Sequence, residues 1–352
     1  MASLARIPLT EDELPKLNAL GVALSREQLH HYMRDASVQL AAKKCERLFY
    51  ARLASWILVP SFEELEPACK QMHALYGKRF LPVGPLLDCN EDHHIQSLAE
   101  GNEDLAWLDQ WPPGSVVYIS PGTNFYSSLD ELVAVVGALE ALEQPFLLVC
   151  RSDEEKLLQE LGRDRDHPSW RTSPWVPQKF VLDHPATGAF VTHCGWMSIL
   201  EGVSSGVAMV AWPREHGVEH TDHYLNSKCI VEDWKIAIAM KKCSSSGKVS
   251  RESARESFEE LLHGEGGKRA RENVARLSDL AKTAAAPDGS SAKNLKTAAD
   301  AIKSGKLVGT DTALLARKMH MNPWNLSEEK RAHLKSILDS APAPAPASGF
   351  LR

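Results

Sequence analysis

Short apolar runs rich in β-branched and aromatic residues alternate with stretches of helical periodicity along this chain. Such runs, when bounded by turn residues, indicate strands, and their alternation with helical patterns is typical of parallel βαβ units. The predicted strands cover residues 56–59, 80–83, 116–120, 146–150, 189–192 and 208–211. The pattern therefore predicts an α/β protein built around a parallel sheet.

One intervening helix is signalled both at its start and along its length. Ser128 and Glu131 have the spacing of a capping box, in which each side chain hydrogen-bonds the other residue's backbone N–H. Apolar side chains then recur at helical spacing, at Leu129, Leu132, Val133, Val136 and Leu139. We expect this apolar stripe to cover one face of the sheet.

Changes in composition divide the chain into four predicted segments. Residues 1–86 hold too few strands and helices for a complete doubly wound lobe and are interpreted as the closing part of one. The polar, aperiodic residues 87–102 are predicted to be a linker. A full second lobe is expected over 103–303. Residues 304–352 are predicted to form a C-terminal extension, with one helix followed by a disordered tail rich in Pro and Ala.

Composition and charge narrow the function classes. The 352 residues are 43% hydrophobic and 24% charged, which is ordinary for two well-filled α/β lobes. A net charge of −6 offers no surplus of basic residues to neutralise nucleic acid, which is not an expected partner. Seven scattered cysteines without a CxxC pair predict reduced thiols and a cytoplasmic location. No apolar run approaches the ~20 residues of a membrane span.

An anion-binding arrangement is indicated where the strand predicted at 188–192 runs into turn 193–195. A helix is expected to begin at about Trp196, so that its free backbone N–H groups face the carboxyl edge of the sheet. Gly195 has no side chain to block close approach, and the positive end of the helix dipole favours an anion. The pattern predicts a seat for a phosphate group.

Two further features extend this prediction from one phosphate to two. His193 and Ser198 add hydrogen-bond donors beside the seat. A second turn, residues 120–123, follows another predicted strand and is expected to open onto the same edge, where the two turns together can clamp a diphosphate. Because strand–turn–helix units also occur in α/β domains without such a ligand, they do not identify the ligand by themselves.

The segment from 175 to 213 carries a far more specific combination of residues. Its informative positions are Trp175, Pro177, Gln178, Leu182, His184, Gly188, Phe190, His193, Cys194, Gly195, Trp196, Ser198, Glu201, Gly206, Trp212 and Pro213. In identity and spacing they resemble the UDP-sugar signature box of plant-type family 1 glycosyltransferases. Further family landmarks follow in the expected order at 56–67, 82–87, 105–120 and 288–295, so that the resemblance covers roughly residues 45–303.

This resemblance implies a GT-B-type fold, with a Rossmann-like C-terminal lobe carrying helices on both faces and a partial N-terminal lobe. It also implies an inverting, metal-independent transfer of a sugar from a UDP-sugar to a hydroxyl of a small lipophilic or phenolic acceptor. The UDP-sugar would be a co-substrate, so that no cofactor and no metal ion is expected.

The resemblance assigns roles to matching residues. Trp175 is expected to stack on uracil and Val176 to offer backbone groups to the base edge. Gln178 and Glu201 would hold the ribose, since a carboxylate accepts hydrogen bonds from two vicinal hydroxyls at once. The complete set expected to bind the UDP-sugar is Trp175, Val176, Gln178, His193, Gly195, Trp196, Met197, Ser198, Glu201, Thr123, Asp222 and His223. Of these, His193, Ser198 and Thr123 would contact the diphosphate, and Trp196 would lie near the sugar.

The end of the signature box departs from the family pattern. Relatives place an acidic residue and Gln three residues after the Trp-Pro pair, whereas here the best match, Asp222-His223, follows Pro213 after eight residues. The insertion within 214–221 is expected to bear on the position of this sugar-contacting pair. A histidine in place of the Gln resembles family members that favour UDP-galactose, so that glucose and galactose both stay open as the donor sugar.

Two other positions also depart from the pattern. Met197 stands where the family has an Asn beside the phosphate, and losing a polar contact to a charged group costs about 1.5 to 3 kcal/mol, or roughly ten- to a hundredfold in affinity. Pro121 replaces an aromatic residue, and no effect is predicted for it.

The catalytic residues stay unassigned. Relatives use a histidine near the N-terminus, oriented by an aspartate, as general base, and no early strand here ends in such a histidine. His30 and His31 lie in a predicted helix and are not nominated. The chain is therefore interpreted as N-terminally truncated. A truncated product, a partial gene model and a natural half that pairs with a complementing acceptor lobe are all open.

Three functions from different classes follow from these observations. The first is an active UDP-glycosyltransferase, and the second is a catalytically inactive UDP-sugar-binding module. The third is a metal-responsive or purely structural protein built on a decayed scaffold, since His216, Glu219, His220, Asp222 and His223 cluster in the insertion. That cluster matches no familiar ligand pattern, and a solvated loop is the preferred interpretation of it.

Overall fold

The computed structural model describes residues 56–66, 69, 80–86, 99–122, 129–150, 154–162, 166–213 and 221–303. Within the chain, Met1–Ala298 forms one compact unit and Ala299–Arg352 a second one. The predicted linker at 87–102 lies mostly outside the described residues, and the predicted extension at 304–352 lies entirely outside them. The division into four segments therefore stays a prediction.

A small sheet of two parallel strands is formed by β1 (Ile57–Val59) and β2 (Phe80–Pro82). Both strands agree with apolar runs predicted from the sequence. The side chain of Asn294 donates a hydrogen bond to the Pro82 carbonyl at 2.8 Å, and the indole N–H of Trp196 donates one to the Pro60 carbonyl at 2.9 Å. These two contacts tie the small sheet to the C-terminal part of the same unit.

The main sheet consists of β3 (Val116–Ser120), β4 (Phe146–Val149), β5 (Asp166–His167), β6 (Trp170–Ser173), β7 (Thr187–Thr192), β8 (Ala208–Ala211) and β9 (Ala237–Ala239). Their spatial order is β5-β6-β4-β3-β7-β8-β9. The six strands β6, β4, β3, β7, β8 and β9 pair in parallel, and β5 lies antiparallel to β6 at the edge. The predicted parallel sheet is confirmed.

The helices of the described residues are α1 (Glu103–Leu108), α2 (Leu129–Ala141), α3 (Glu154–Leu161), α4 (Gln178–Asp183), α5 (Trp196–Ser205), α6 (Thr221–Lys228), α7 (Arg251–His263), α8 (Glu265–Ala285) and α9 (Ser290–Lys303). Helices α4, α5, α7 and α8 contact strands of the main sheet, and α9 contacts the small sheet. Helix α2 confirms the helix that the apolar stripe predicts, and it buries Leu132, Val136 and Leu139. Ser128 of the predicted capping box lies outside the described residues, and Glu131 accepts a hydrogen bond from the Val249 backbone N–H at 2.8 Å.

Burial explains which strands the sequence reveals. The central strands β3 and β8 are buried along their whole length, and parallel strands covered on both faces read as continuous apolar runs. Strand β6 contains only one apolar residue, Trp170, which stacks on Phe146 with ring centroids 5.4 Å apart. The remaining residues of β6 are polar, and β9 has only three residues. The apolar-run criterion therefore misses both strands.

The cysteines of the described residues are free thiols: Cys69, Cys150, Cys194, Cys229 and Cys243. Among the described residues, no helix combines the length and the apolar character that crossing a membrane requires.

Candidate functional site

Two turns leave the carboxyl edge of the main sheet side by side. Strands β3 and β7 are neighbours, and Ser120 at the end of β3 pairs with Thr192 at the end of β7. Gly122, in the turn after β3, has φ +89°, and a Cβ placed on it would lie 3.0 Å from the ring of His193. This contact confirms that both turns open onto the same edge, as predicted. Thr123 lies outside the described residues.

The turn after β7 contains a residue in the left-handed conformation that is not glycine. Cys194 has φ +66°, which costs an L-residue roughly 1 to 2 kcal/mol. Two side chains hold it there: its N–H donates to Thr192 Oγ1 at 3.2 Å, and its carbonyl accepts from Asn226 Nδ2 at 3.0 Å. Burial raises the pKa of the Cys194 thiol to about 12, which leaves it protonated and fits a packing role.

Gly195 lies at the N-cap of α5 and brings the backbone close to the imidazole of His193. A Cβ on Gly195 would be 2.4 Å from His193 Nε2, so any side chain there would displace the ring. Helix α5 starts directly afterwards, and glycine supplies no side-chain cap for its first N–H groups. The positive end of the helix therefore faces the edge that the two turns share. Met197, in the first turn of α5, is 45% exposed.

A cluster of hydrogen-bonded side chains lies where α4 and α5 begin. The Gln178 amide nitrogen donates to Ser198 Oγ at 3.2 Å and to the Glu201 carboxylate. The amide oxygen of the same residue accepts from the Tyr118 hydroxyl at 3.1 Å. The structure thus joins three of the residues predicted to bind the UDP-sugar, together with a tyrosine that the sequence did not suggest.

Glu201 is a partly buried acid within this cluster. Its desolvation raises the pKa of the carboxyl group, while the hydrogen bond from Gln178 and the charge of Lys179 lower it. Desolvation is the largest of these effects, so that Glu201 takes up a proton at higher pH than an exposed glutamate does. In its ionised form the carboxylate is an acceptor for vicinal hydroxyls.

The loop between β6 and α4 presents a large aromatic face to solvent. Trp175 is 44% exposed, and its backbone carbonyl accepts a hydrogen bond from Ser173 Oγ at 2.9 Å. The next residue, Val176, is buried. An exposed indole at the carboxyl end of a parallel strand, close in sequence to Gln178, offers a flat surface on which a base can stack.

The first two turns of helix α6 pack against the turn that follows β7. The rings of His193 and His223 meet edge to face, with centroids 4.8 Å apart. His223 is only 7% exposed, whereas Asp222 is exposed and its carboxylate accepts from Asn226 Nδ2 at 3.4 Å. The pair that the sequence aligns as one unit is therefore split, with His223 packed against the turn and Asp222 facing solvent.

Trp196 lies at the first position of α5. Besides its hydrogen bond to Pro60, its ring meets that of Trp234 edge-on, with centroids 6.0 Å apart and an interplanar angle of 62°. Trp234 follows a π-helical turn, Cys229–Asp233, that continues α6. The predicted position of Trp196 near the sugar stays a prediction.

Residues 106–285 match the family model described as UDP-glucoronosyl and UDP-glucosyl transferase. This match spans half of the chain. The chain belongs to this family.

Curated relatives and solved structures agree with this assignment. The chain is 34% identical over 251 residues to anthocyanidin 3-O-glucosyltransferase 7 of Manihot esculenta. This alignment covers 71% of this chain and 83% of that protein. It spans only 52% to 60% of seven other curated relatives.

Solved structures with similar folds include the following two. UGT2 of Phytolacca americana, complexed with UDP-2fluoro-glucose and pterostilbene, has a TM-score of 0.66 at 30% identity and covers 76% of this chain and 59% of that one. Os79 of O. sativa, in complex with UDP, has a TM-score of 0.71 at 29% identity and covers 84% of this chain and 67% of that one. The predicted family and the predicted GT-B-type fold are both confirmed.

In this family member, two residues with contacts to the site escaped the sequence analysis. Tyr118 is the only aromatic residue of the buried strand β3, and a buried tyrosine hydroxyl usually finds a hydrogen-bond partner, which was the available signal. Asn226 lies on α6 beyond the signature box and carried no signal of its own.

The metal hypothesis is not tested by this arrangement. His216, Glu219 and His220 lie outside the described residues of the UDP-glycosyltransferase chain. In the part of the chain that the structure describes, no group of three or more His, Cys, Asp or Glu side chains is arranged to hold a metal ion.

Proposed function

We propose that this protein binds a UDP-sugar at the shared edge of β3 and β7 and transfers the sugar to a hydroxyl of a small phenolic or lipophilic acceptor. The observation that carries the proposal is the position of the Gln178, Ser198 and Glu201 cluster beside the start of α5. The names of the relatives support the acceptor class, since anthocyanidins and pterostilbene are phenolic.

The base and ribose occupy one end of the proposed site. Trp175 stacks on uracil, the backbone of Val176 contacts the base edge, and Gln178 and Glu201 hold the ribose hydroxyls. The exposure of the Trp175 indole and the hydrogen bond that the Glu201 carboxylate accepts from Gln178 support these roles.

The diphosphate and the sugar occupy the other end. His193, Ser198 and the backbone N–H groups that follow Gly195 bind the diphosphate, aided by the helix dipole. Met197, Trp196, Asp222 and His223 lie toward the sugar. Thr123 completes the diphosphate contacts that the sequence predicts.

In the proposed reaction the acceptor oxygen attacks the anomeric carbon on the face opposite to UDP. The bond from that carbon to the β-phosphate oxygen breaks, and UDP leaves with the bonding electron pair. The positive end of α5 and the imidazole of His193 stabilise the charge that develops on the departing diphosphate. The acceptor proton passes to a general base that is not assigned in this chain. Neither a metal ion nor a cofactor forms part of the proposal, and the cytoplasm is the proposed location.

Incubation with labelled UDP-glucose or UDP-galactose and a panel of phenols tests the proposal. We expect a labelled glycoside from one donor, and its absence at high protein concentration would contradict the transferase function. Trp175→Ala is expected to weaken UDP binding about 5- to 150-fold, because stacking on a base contributes about 1 to 3 kcal/mol. Trp175→Phe, which keeps a flat ring, is the matched control and should lose less.

A catalytically inactive UDP-sugar-binding module is the second candidate, favoured by the missing assignment of a general base. Calorimetry separates the two: UDP binding that Trp175→Ala weakens by this factor, without any turnover, indicates the binding module. No UDP binding at all excludes both functions. The transferase names of the curated relatives favour the enzyme.

A further inference from the structure

Tyr118 lies in the centre of β3 with its ring fully enclosed. It is 1% exposed, pairs in register with Phe190 of β7 and stacks on that ring, with centroids 5.3 Å apart. The hydroxyl is the only polar group of the side chain, and it donates to Gln178 Oε1 at 3.1 Å. A strand residue at the bottom of the site thus hydrogen-bonds a residue of α4 at its surface.

The chemistry of an amide gives this hydrogen bond a direction. Gln178 Oε1 can only accept and Nε2 can only donate, so the two ends of the amide are not interchangeable. With Oε1 held by the Tyr118 hydroxyl, Nε2 points to Ser198 and Glu201. A flipped amide would set its oxygen against the Glu201 carboxylate, with two acceptors facing each other.

The surroundings of Tyr118 keep its hydroxyl a donor. Burial raises the pKa of Tyr118, so that the phenol retains its proton, and the hydroxyl of Ser120 also hydrogen-bonds the phenol oxygen. The phenol proton is donated to Gln178 Oε1, which can only accept.

We propose that Tyr118 is a positioning residue for the ribose: it fixes the amide of Gln178, and through it the carboxylate of Glu201, in the orientation that receives the ribose hydroxyls. The inference rests on the proposed role of Gln178 and Glu201 in binding UDP. Tyr118 itself lies beneath these residues and contacts no substrate.

The variant Tyr118→Phe removes the hydroxyl while it keeps the ring and the stack on Phe190. Affinity is measured by calorimetry for UDP and for an analogue of UDP that lacks both ribose hydroxyls. We expect the wild-type protein to bind UDP more tightly than the analogue. In the variant the ratio of the two affinities should fall about tenfold, because one hydrogen bond that supports a charged acceptor is removed. Affinity for the analogue should stay the same.

A double-mutant cycle identifies the route of this effect. If Tyr118 acts through Gln178, then Tyr118→Phe should change nothing further in a Gln178→Ala background. Two results would overturn the positioning role. One is an equal loss of affinity for UDP and for the analogue in Tyr118→Phe, and the other is a full effect of Tyr118→Phe in the Gln178→Ala background. Thermal unfolding of each variant accompanies the binding data.

Ser257→Ala is the matched control for the loss of a buried hydroxyl. Ser257 lies on α7, is fully buried, donates to the Ser253 carbonyl at 2.8 Å and accepts from the Lys241 N–H at 2.9 Å. It is expected to lower stability without any change in the preference for UDP. Wild-type protein that binds no UDP overturns the proposed function together with this inference. If Tyr118→Phe keeps the wild-type preference for UDP over the analogue, this inference is overturned and the proposed function is not.

Discussion

The two ends of the proposed donor site are built in different ways. At the ribose end, Tyr118, Gln178 and Glu201 form a chain of side-chain hydrogen bonds above a buried strand, and Gln178 also donates to Ser198, which belongs to the diphosphate end. At the diphosphate end the critical features are backbone conformation and close packing around Gly195.

The two ends should therefore respond differently to substitutions. A side-chain cluster responds to the chemistry of the groups it meets, so that changes at the ribose end should alter the discrimination of hydroxyl groups. A backbone turn responds to volume and to the residues that hold its conformation. Changes at the diphosphate end should therefore lower the affinity for UDP. The affinity for uridine, which lacks phosphates, should stay unchanged.

The largest effect is expected for Gly195→Ala. The backbone at Gly195 has an ordinary φ of −65°, so that the cost arises from the new Cβ, 2.4 Å from His193 Nε2. The ring has little room to move, since Gly122 and His223 lie against it. We expect UDP affinity measured by calorimetry to fall about 100-fold, through loss of the imidazole contact and of close backbone approach.

Gly137→Ala serves as the control for this substitution. A Cβ on Gly137, in α2, would make an ordinary contact with the Arg251 side chain at 3.5 Å. It should leave UDP affinity unchanged and stabilise the helix by roughly 0.5 to 1 kcal/mol. A parallel fall of uridine and UDP affinity in Gly195→Ala would break the comparison between the two ends.

Asn226→Ala is expected to have an intermediate effect. It removes the donor that holds the carbonyl of the left-handed Cys194, so that the turn relaxes. UDP affinity should fall about tenfold and uridine affinity should not change. Asn273→Ala is the control, since Asn273 makes the same kind of bond to the Lys235 carbonyl at 3.1 Å on the surface of α8. If both variants behave alike, Asn226 has no particular role at the turn.

Met197→Asn is expected to increase affinity. Met197 is 45% exposed in the first turn of α5, so the exchange buries no new polar group and leaves no cavity. A side-chain amide there can donate to the diphosphate, and we expect a gain of up to about tenfold for UDP. Met197→Ala, which adds no donor, should show no gain. An unchanged affinity in Met197→Asn would argue against a phosphate at the start of α5.

The smallest effect concerns pH and the ribose end. Burial raises the pKa of Glu201, so that protonation begins at a higher pH than for an exposed glutamate, and a protonated carboxyl loses acceptor capacity. Uridine affinity should therefore fall a few-fold as the pH is lowered through that pKa. Uridine is chosen because it has no phosphate that titrates in this range. Glu201→Gln should remove the dependence, and a pH profile that it leaves unchanged would assign the effect to another group.

The same linkage sets the sign of the effect on stability. Because the pKa of Glu201 is higher in the folded than in the unfolded chain, the folded state binds this proton more tightly. The favourable contribution of this group is complete at acidic pH and is lost as the pH rises through the raised pKa. Burial of Glu201 thus lowers stability near neutral pH, which fits a group retained for binding.

The sequence by itself determined the family and the buried strands of the parallel sheet. Strands such as β3 and β8 lie between helices, and full burial demands apolar residues at every position, which leaves a pattern that can be read directly. The signature from Trp175 to Pro213 supplied the candidate residues because it combines residue types at defined spacing. Strands β5, β6 and β9 escaped, since β5 and β6 are polar or mostly polar and β9 is very short.

Only the tertiary structure decided how the candidates meet. The hydrogen bond from Tyr118 to Gln178 joins residues 60 positions apart, and that from Asn226 to Cys194 joins residues 32 positions apart. Periodicity describes neighbours on one helix or strand, whereas these contacts arise from the packing of different elements. For the same reason the sequence aligned Asp222 and His223 as one pair, while the packing of α6 buries His223 against His193 and leaves Asp222 in solvent.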